Sequence, residues 1–363
     1  MLSLSPTQPS QTWPTTRLEK LGLTFPVMVA PMVGLTHCAF RQLLRLYTPA
    51  GLNPLLFTEM LSTRRIPYER LDKVDELRTA VGETHFVPQL LGNEETYIAQ
   101  SIRKLLPLSP WGFDINMGCP AKQTLKHNWG VRLLGDADYA ARVVEMTKKH
   151  SPLPVSVKMR CGQDKADPEF LDAFTAKLEA AGADWLTVHA RTQAQKHKGD
   201  ANWGMISDLA PRRNIPLVVN GDIQTAADAV SILQTLNVDG VMIGRAATAR
   251  PWIIWQIAED LGYRDAPLAF AGMKAPRTPL EEGLAFLQAM IHLIDFLTLY
   301  IDAEEKQLRR FRFHVINAHK WLFFGHAYYS RCMKAKSLAE AREMTVASLE
   351  LGSFTMSSRI TLF

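Results

Sequence analysis

Eight short runs of strand-forming residues recur along the chain: Val27–Met32, Leu55–Met60, Phe86–Leu91, Phe113–Met117, Val155–Met159, Trp185–His189, Leu217–Asn220 and Val241–Ile243. Most are continuous apolar runs rather than alternating ones, which is the pattern of strands buried on both faces. Between them lie stretches with apolar residues three and four apart, such as Glu94–Leu106, Ala137–Lys149, Glu169–Ala181 and Thr225–Leu236, and these predict amphipathic helices. Strand followed by helix, eight times over, predicts an α/β protein built on a (β/α)8 TIM barrel. A doubly wound open sheet shares the alternation, but eight regular units within about 230 residues favour closure.

The texture then changes. Residues 261–280 carry Pro267, Pro276 and Pro279 with little periodicity and predict a linker. Residues 281–363 read as an all-helical C-terminal domain, and 24–260 as the barrel domain. The first 23 residues, rich in Ser, Thr, Pro and Gln and without the basic start and apolar block of a signal peptide, read as a loose leader. The most apolar stretch, Leu284–Ile301, is interrupted by Gln288, His292 and Asp295. At i, i+4 and i+7 these form one polar stripe, which predicts a bundle helix rather than a membrane span.

Bulk composition narrows the field modestly. With 363 residues, 47% hydrophobic and 21% charged, the chain has ample material for a core and is not disordered. A net charge of +5 permits a polyanionic partner without demanding one. Cys38, Cys119, Cys161 and Cys332 stand far apart with no CxxC pair, so no disulfide framework or metal site is expected, and a reducing, cytoplasmic setting fits.

The ends of the strands carry the candidate chemistry. Active sites of TIM barrels lie at the C-terminal strand ends. In order, those ends read Ala30-Pro31-Met32, Thr58-Glu59-Met60, Gln89, Asp114-Ile115-Asn116-Met117-Gly118-Cys119-Pro120, Lys158 with Arg160, His189-Ala190-Arg191-Thr192, Asn220-Gly221-Asp222 and Gly244-Arg245. One buried polar residue is usually a satisfied structural group, but several converging on one mouth predict a polar ligand. The glycine-containing turns after strands seven and eight sit where many barrels bind phosphate, and Arg245 adds a fixed charge.

At residues 114–122 the sequence Asp-Ile-Asn-Met-Gly-Cys-Pro-Ala-Lys resembles the tRNA-dihydrouridine synthases, closest to their bacterial B subgroup. So do Ala30-Pro31-Met32 with Gly34, Val157-Lys158-Met159-Arg160, His189-Ala190-Arg191-Thr192, Asn220-Gly221-Asp222, and Met242–Ala247 followed by Arg250-Pro251-Trp252. That resemblance implies a flavin mononucleotide-binding barrel with a helical tRNA-binding domain, reducing the C5–C6 bond of uracil with NADPH as donor. It implies that Pro31, Met32 and Val33 lie along the flavin ring and that Gln89 hydrogen-bonds it. Lys158 would stand at the N1/C2 edge, where positive charge favours the reduced flavin. His189 would border flavin and substrate, and Asn220, Gly221, Asp222, Gly244 and Arg245 would hold the phosphate. Asn116 and Arg191 would meet the uracil, and Cys119 would protonate C5. Cys161, just past strand five, is its internal competitor. The protein would act as a monomer, without a metal or a membrane.

Two features stand apart from that pattern. The stretch Lys126–Arg132, with Trp129 and Arg132, replaces a small, glycine-rich segment typical of the family. Residues 304–336 interleave Lys306, Arg309, Arg310, Arg312, Lys320, Arg331, Lys334 and Lys336 with Phe311, Phe313, Trp321, Phe323, Phe324, Tyr328 and Tyr329. The aromatics are expected in the core and the charges on tRNA, with Arg309, Arg310 and Arg312 as the leading contacts. A reductase of free pyrimidines, of the dihydroorotate dehydrogenase kind, would share the barrel but not need this domain. A non-catalytic tRNA-binding protein would need the domain but no flavin.

Overall fold

The computed structural model describes residues 16–121, 124, 126–196 and 198–360. Most of the expected leader and Lys122 of the cysteine motif lie outside the described residues. Eight parallel strands close into a barrel in sequence order: β1 Val27–Val29, β2 Leu55–Ser62, β3 Phe86–Leu91, β4 Phe113–Met117, β5 Val155–Arg160, β6 Trp185–His189, β7 Leu217–Asn220 and β8 Gly240–Ile243. A short helix α1 (Thr16–Glu19) precedes the barrel. Outside it run α2 (Cys38–Leu46), α3 (Glu95–Leu105), α4 (Ala137–His150), α5 (Pro168–Ala180), α6 (Trp203–Leu209), α7 (Ala226–Thr235), α8 (Ala246–Ala249) and α9 (Ile253–Asp260). The C-terminal region follows as α10 (Pro279–Tyr300), α11 (Glu304–Ala318), α12 (Gly325–Lys334) and α13 (Leu338–Glu350).

The period of two along each strand sorts its residues. On β4, Phe113, Ile115 and Met117 join the apolar layer beneath the helices, as do Val155, Val157 and Met159 on β5. Asp114, Asn116, Ser156 and Lys158 are the alternate residues, on the barrel's inner side. Lower in the barrel, Met28, Phe57, Val87, Trp185, Val218 and Met242 fill the interior.

Three expectations are corrected. First, β1 stops at Val29 rather than Met32. Pro31 has no N–H for a ladder, and the Met32 N–H turns to the Thr36 hydroxyl at 3.1 Å. Second, the second repeat has no α-helix. Pro67, Gly82 and a dense run of charges break it into 3₁₀ turns at Ile66–Tyr68 and Leu71–Lys73. Third, residues 16–23 are not loose. Leu18 and Leu23 are buried against the barrel interior, and Arg17 binds Asp239 at 2.6 Å and the Arg213 carbonyl at 2.8 Å.

The C-terminal helices share the barrel's core, because Leu287, Phe311 and Tyr328 belong to the same buried cluster as Phe40 and Trp252. The expected linker is packed down as well: Phe270 stacks on Tyr47 at 4.9 Å and on Trp255 at 5.7 Å. The polar stripe on α10 is also spoken for. Gln288 meets His292 at 3.2 Å, and Asp295 pairs with Arg342 of α13 at 2.9 Å. One buried ion pair joins the two regions. Glu282, in the first turn of α10, accepts from Arg250 Nε at 3.0 Å, Gln256 Nε2 at 3.0 Å and Trp252 Nε1 at 3.3 Å.

Candidate active site

The cysteine motif forms a turn at the top of β4 whose shape is set from inside the barrel. Ser156 Oγ donates to Asp114 Oδ1 at 2.5 Å, and Gln89 Nε2 donates to Asp114 Oδ2 at 2.7 Å. Asn116 Nδ2 donates to Gln89 Oε1 at 2.7 Å. Asn116 Oδ1 then accepts the backbone N–H groups of Gly118 and Cys119, at 3.1 and 2.9 Å. A side-chain amide that mimics a turn in this way fixes the backbone that follows it. Arg160 Nε closes the far side on the Gly118 carbonyl at 3.2 Å.

Burial sets the charges below this turn. The Asp114 carboxyl is pushed up to about 7 by desolvation, against the pull of its bonds to Ser156 and Gln89. The Lys158 ammonium is brought down to about 8 by burial, with Asp114 pulling it up and Arg160 pushing it down. Lys158 Nζ donates to Asn220 Oδ1 at 3.0 Å, and Asn220 Nδ2 donates to the Met242 carbonyl at 2.7 Å. Asn220 therefore aims the lysine across the barrel mouth.

A cavity of about 370 Å³ opens above this floor, lined by Pro31, Met32, Val33, Gln89, Asn116, Cys119, Lys158 and His189. A second lobe of about 160 Å³ shares Pro31, Met32, Lys158 and His189 and continues to Asn220, Gly221, Asp222, Gly244 and Arg245. The geometry thus brings together all the sequence-predicted positions but one. Arg191 is buried; its Nη2 donates to Asp222 Oδ2 and the Gly199 carbonyl, both at 2.5 Å, while its Nη1 has no hydrogen-bond partner among the described residues. It braces the Asp222 loop and lines neither lobe; its partners lie 31 and 8 residues away in sequence, so the motif did not disclose them. Gly221 has φ +113°, and a Cβ there would stand 2.8 Å from the His189 ring. Glycine is needed at that position for its backbone and for the imidazole. Met60, Gly118, Pro120 and Arg160 also line the main lobe. All four stood among the strand ends in the sequence, although Met60 carries no polar signal that marks it as a lining residue.

Only one cysteine faces the cavity. Cys119 is partly accessible, whereas Cys38, Cys161 and Cys332 are buried. Burial pushes the thiol of Cys161 up to about 11, that of Cys332 up to about 11 and that of Cys38 up to about 12.

The basic residues of the helical region divide sharply. Arg310 reaches Glu76 at 2.5 Å and Glu59 at 3.3 Å, and Lys306 pairs with Asp75 at 2.7 Å. Arg312 donates to the Ala335 carbonyl at 2.6 Å, and Arg331 to the Ser348 hydroxyl at 2.8 Å. These tie the fold together, so the expectation that Arg310 and Arg312 face tRNA is corrected. Among the aromatics, Phe311, Trp321 and Tyr328 are core, while Phe313, Phe323 and Phe324 are exposed. Arg309, Phe313 and Ile316 form one exposed stripe along α11, which Lys320 extends in the 3₁₀ turn that follows. The Phe313 ring lies against Gly34, beside Val33 at the cavity rim, so close that a Cβ on Gly34 would overlap it.

Fold and site together define a (β/α)8 barrel with a two-lobed polar cleft at its C-terminal mouth and one accessible cysteine in the cleft wall. A family model described as dihydrouridine synthase matches residues 28–347, and the chain belongs to that family. It is 34% identical over 280 residues to a probable tRNA-dihydrouridine synthase of Rhizobium leguminosarum, covering 76% of this chain and 86% of that one. It is 31% identical over 290 residues to tRNA-dihydrouridine synthase B of Pseudomonas aeruginosa, covering 80% and 82%. Among solved structures, a 2-naphthoyl-CoA reductase complex shares the fold, with a TM-score of 0.50 at 12% identity over 66% of this chain and 50% of that one.

Proposed function

We propose that this protein is a flavin-dependent tRNA-dihydrouridine synthase in which Cys119 protonates the uracil ring. The observation that carries the reading is the placement of an accessible thiol, on a turn fixed by Asn116, in the same cavity wall as Lys158 in a chain of this family. The cleft fits flavin mononucleotide in its donor set. The main lobe offers a slot between the Pro31–Val33 backbone and Lys158, and the second lobe offers Asn220, the Gly221 and Gly244 turns and Arg245 to a phosphate. When bound and reduced by NADPH, that group supplies the hydride for C6 of uracil.

The protein's own residues do the rest. The Cys119 thiol gives its proton to C5, and the electron pair of its S–H bond stays on sulfur. Asn116 uses its Oδ1 on the turn and one Nδ2 hydrogen on Gln89, leaving the other Nδ2 hydrogen for the substrate. A cationic Lys158 stabilises negative charge on a ring beside it, and burial strengthens that interaction. The orientation of Lys158 depends on Asn220. Purified protein should therefore be yellow, and Lys158→Ala should lower flavin occupancy or turnover in absorbance titrations. A protein that stays colourless after incubation with flavin mononucleotide removes this part of the reading.

Transfer RNA suits the exposed α11 stripe. Arg309 and Lys320 have no ion pair among the described residues, and exposed Phe313 and Ile316 lie between them, with Phe313 against Gly34 at the cleft's rim. Changing Arg309 and Lys320 together to alanine should flatten the plot of log affinity against log salt by about two units, one for each lost phosphate contact. Flavin reduction by NADPH should be unaffected. An unchanged slope, measured by filter binding with unmodified tRNA, places the binding surface elsewhere.

A further inference from the structure

The Cys119 turn is held from a second side, by a segment the proposed mechanism does not use. Thr124 Oγ1 and the Val131 N–H both reach the Cys119 carbonyl at 3.2 Å. Between them Gly130, with φ +59°, lies against the cysteine: a Cβ there would stand 2.7 Å from the Cys119 carbonyl oxygen and 3.3 Å from Cys119 Cβ. Where Gly130 sits therefore decides where Cys119 sits.

Gly130 is placed by its neighbour. Trp129 is buried, and its indole N–H donates to Asn93 Oδ1 at 2.7 Å. Asn93 Nδ2 donates to the carbonyls of His127 and Asn128, each at 3.3 Å. Asn128 takes the left-handed conformation, with φ +57°, that this tight loop requires. Asn93 is itself anchored, since its carbonyl accepts from the Tyr139 hydroxyl of α4 at 3.3 Å. The Arg64 guanidinium lies 5.1 Å over the Trp129 ring while pairing with Glu94. A chain of contacts thus runs from the loop after β3, through one asparagine and one indole, to the backbone of the thiol.

We propose that Asn93 and Trp129 form a latch that positions Cys119 for proton transfer; the role in catalysis rests on Cys119 being the proton donor. Both are positioning residues, because neither lines the cavity. A displacement of the thiol by a fraction of an ångström to one ångström weakens a proton transfer that depends on reach and angle.

Trp129→Phe keeps an aromatic ring but removes the indole N–H together with part of the bicyclic ring; Asn93→Ala removes the other half of the latch. Two readouts follow. Reoxidation of the reduced enzyme by unmodified tRNA, in a single anaerobic turnover, should slow roughly 10–10²-fold in each variant, with flavin reduction by NADPH unchanged. Alkylation of Cys119 by iodoacetamide, followed by peptide mass, should become several-fold faster as the turn loosens, while the buried Cys161 stays protected. The double variant should be no slower in reoxidation than the slower single, since both cut one connection. Unchanged alkylation and reoxidation, additive losses, or an equal fall in NADPH reduction would each overturn the latch. Should Asn93→Ala fail to fold, Trp129→Phe decides by the same readouts. If the wild-type protein leaves tRNA unmodified but alkylation responds as stated, the latch stands and the catalytic reading falls. If the wild type is active and the variants match it in both readouts, the latch falls alone.

Discussion

Replacing Cys119 with alanine should slow reoxidation of the reduced enzyme by unmodified tRNA roughly 10²–10⁴-fold, the usual worth of a positioned general acid. The fold and any bound flavin should remain, because the side chain is small and accessible and the turn is held by backbone groups bound to Asn116. Reduction by NADPH should stay near the wild-type rate, since that half-reaction would move no proton to uracil. Cys161→Ala is the control. Its backbone N–H bonds the carbonyls of His189 and Arg191, at 3.2 and 3.3 Å, and its thiol is buried. Single-turnover reoxidation under anaerobic conditions separates the two. A wild-type rate in Cys119→Ala, with a slow Cys161→Ala, reverses the assignment. Wild-type rates in both would pass the role to Lys158 or His189, which line the same lobe.

The second large effect is on stability. Arg250→Ala strands Glu282 in the core with one charged partner gone, and breaking a buried pair in this way costs about 3–5 kcal/mol. The loss should be severe here because Arg250 bonds Glu282 and also donates to the Ser357 carbonyl, tying three segments at the junction of barrel and helices. Replacing both partners with apolar residues, Arg250→Met with Glu282→Leu, should recover part of the loss, since no unpaired charge then remains. Guanidinium unfolding monitored by tryptophan fluorescence measures it. A loss below about 1 kcal/mol in Arg250→Ala would mean that the pair behaves like a surface bridge.

The difference between what the sequence disclosed and what it hid follows the range of the interactions. All eight strands were legible because a strand buried on both faces writes its own apolar run. Their ends were less so: β1 stops where Pro31 and the Thr36 hydroxyl intervene, which no apolar pattern records. The cleft was legible because the barrel places every strand's C-terminal end at one mouth. The partners of Arg191 and Arg310 were hidden for a common reason: each guanidinium pairs with carboxylates brought in from elsewhere in the chain, Asp222 in one case and Glu59 and Glu76 in the other. Phe313 shows the converse. Its sequence context matched the buried aromatics around it, yet the α11 periodicity puts it on the exposed stripe with Arg309. Trp129 was visible only as an unusual residue; its meaning depends on Asn93, 36 positions earlier.

Reduction of uridine within tRNA is measured by incubating purified, flavin-loaded protein with NADPH and tRNA lacking dihydrouridine, followed by nucleoside mass analysis. The expected result is a gain of two hydrogens on uridine in the tRNA, dependent on NADPH, with no reduction of free uracil or orotate under the same conditions. Unmodified tRNA beside reduced free pyrimidine, or tRNA bound tightly by a protein that holds no flavin and changes nothing, would overturn the proposed function.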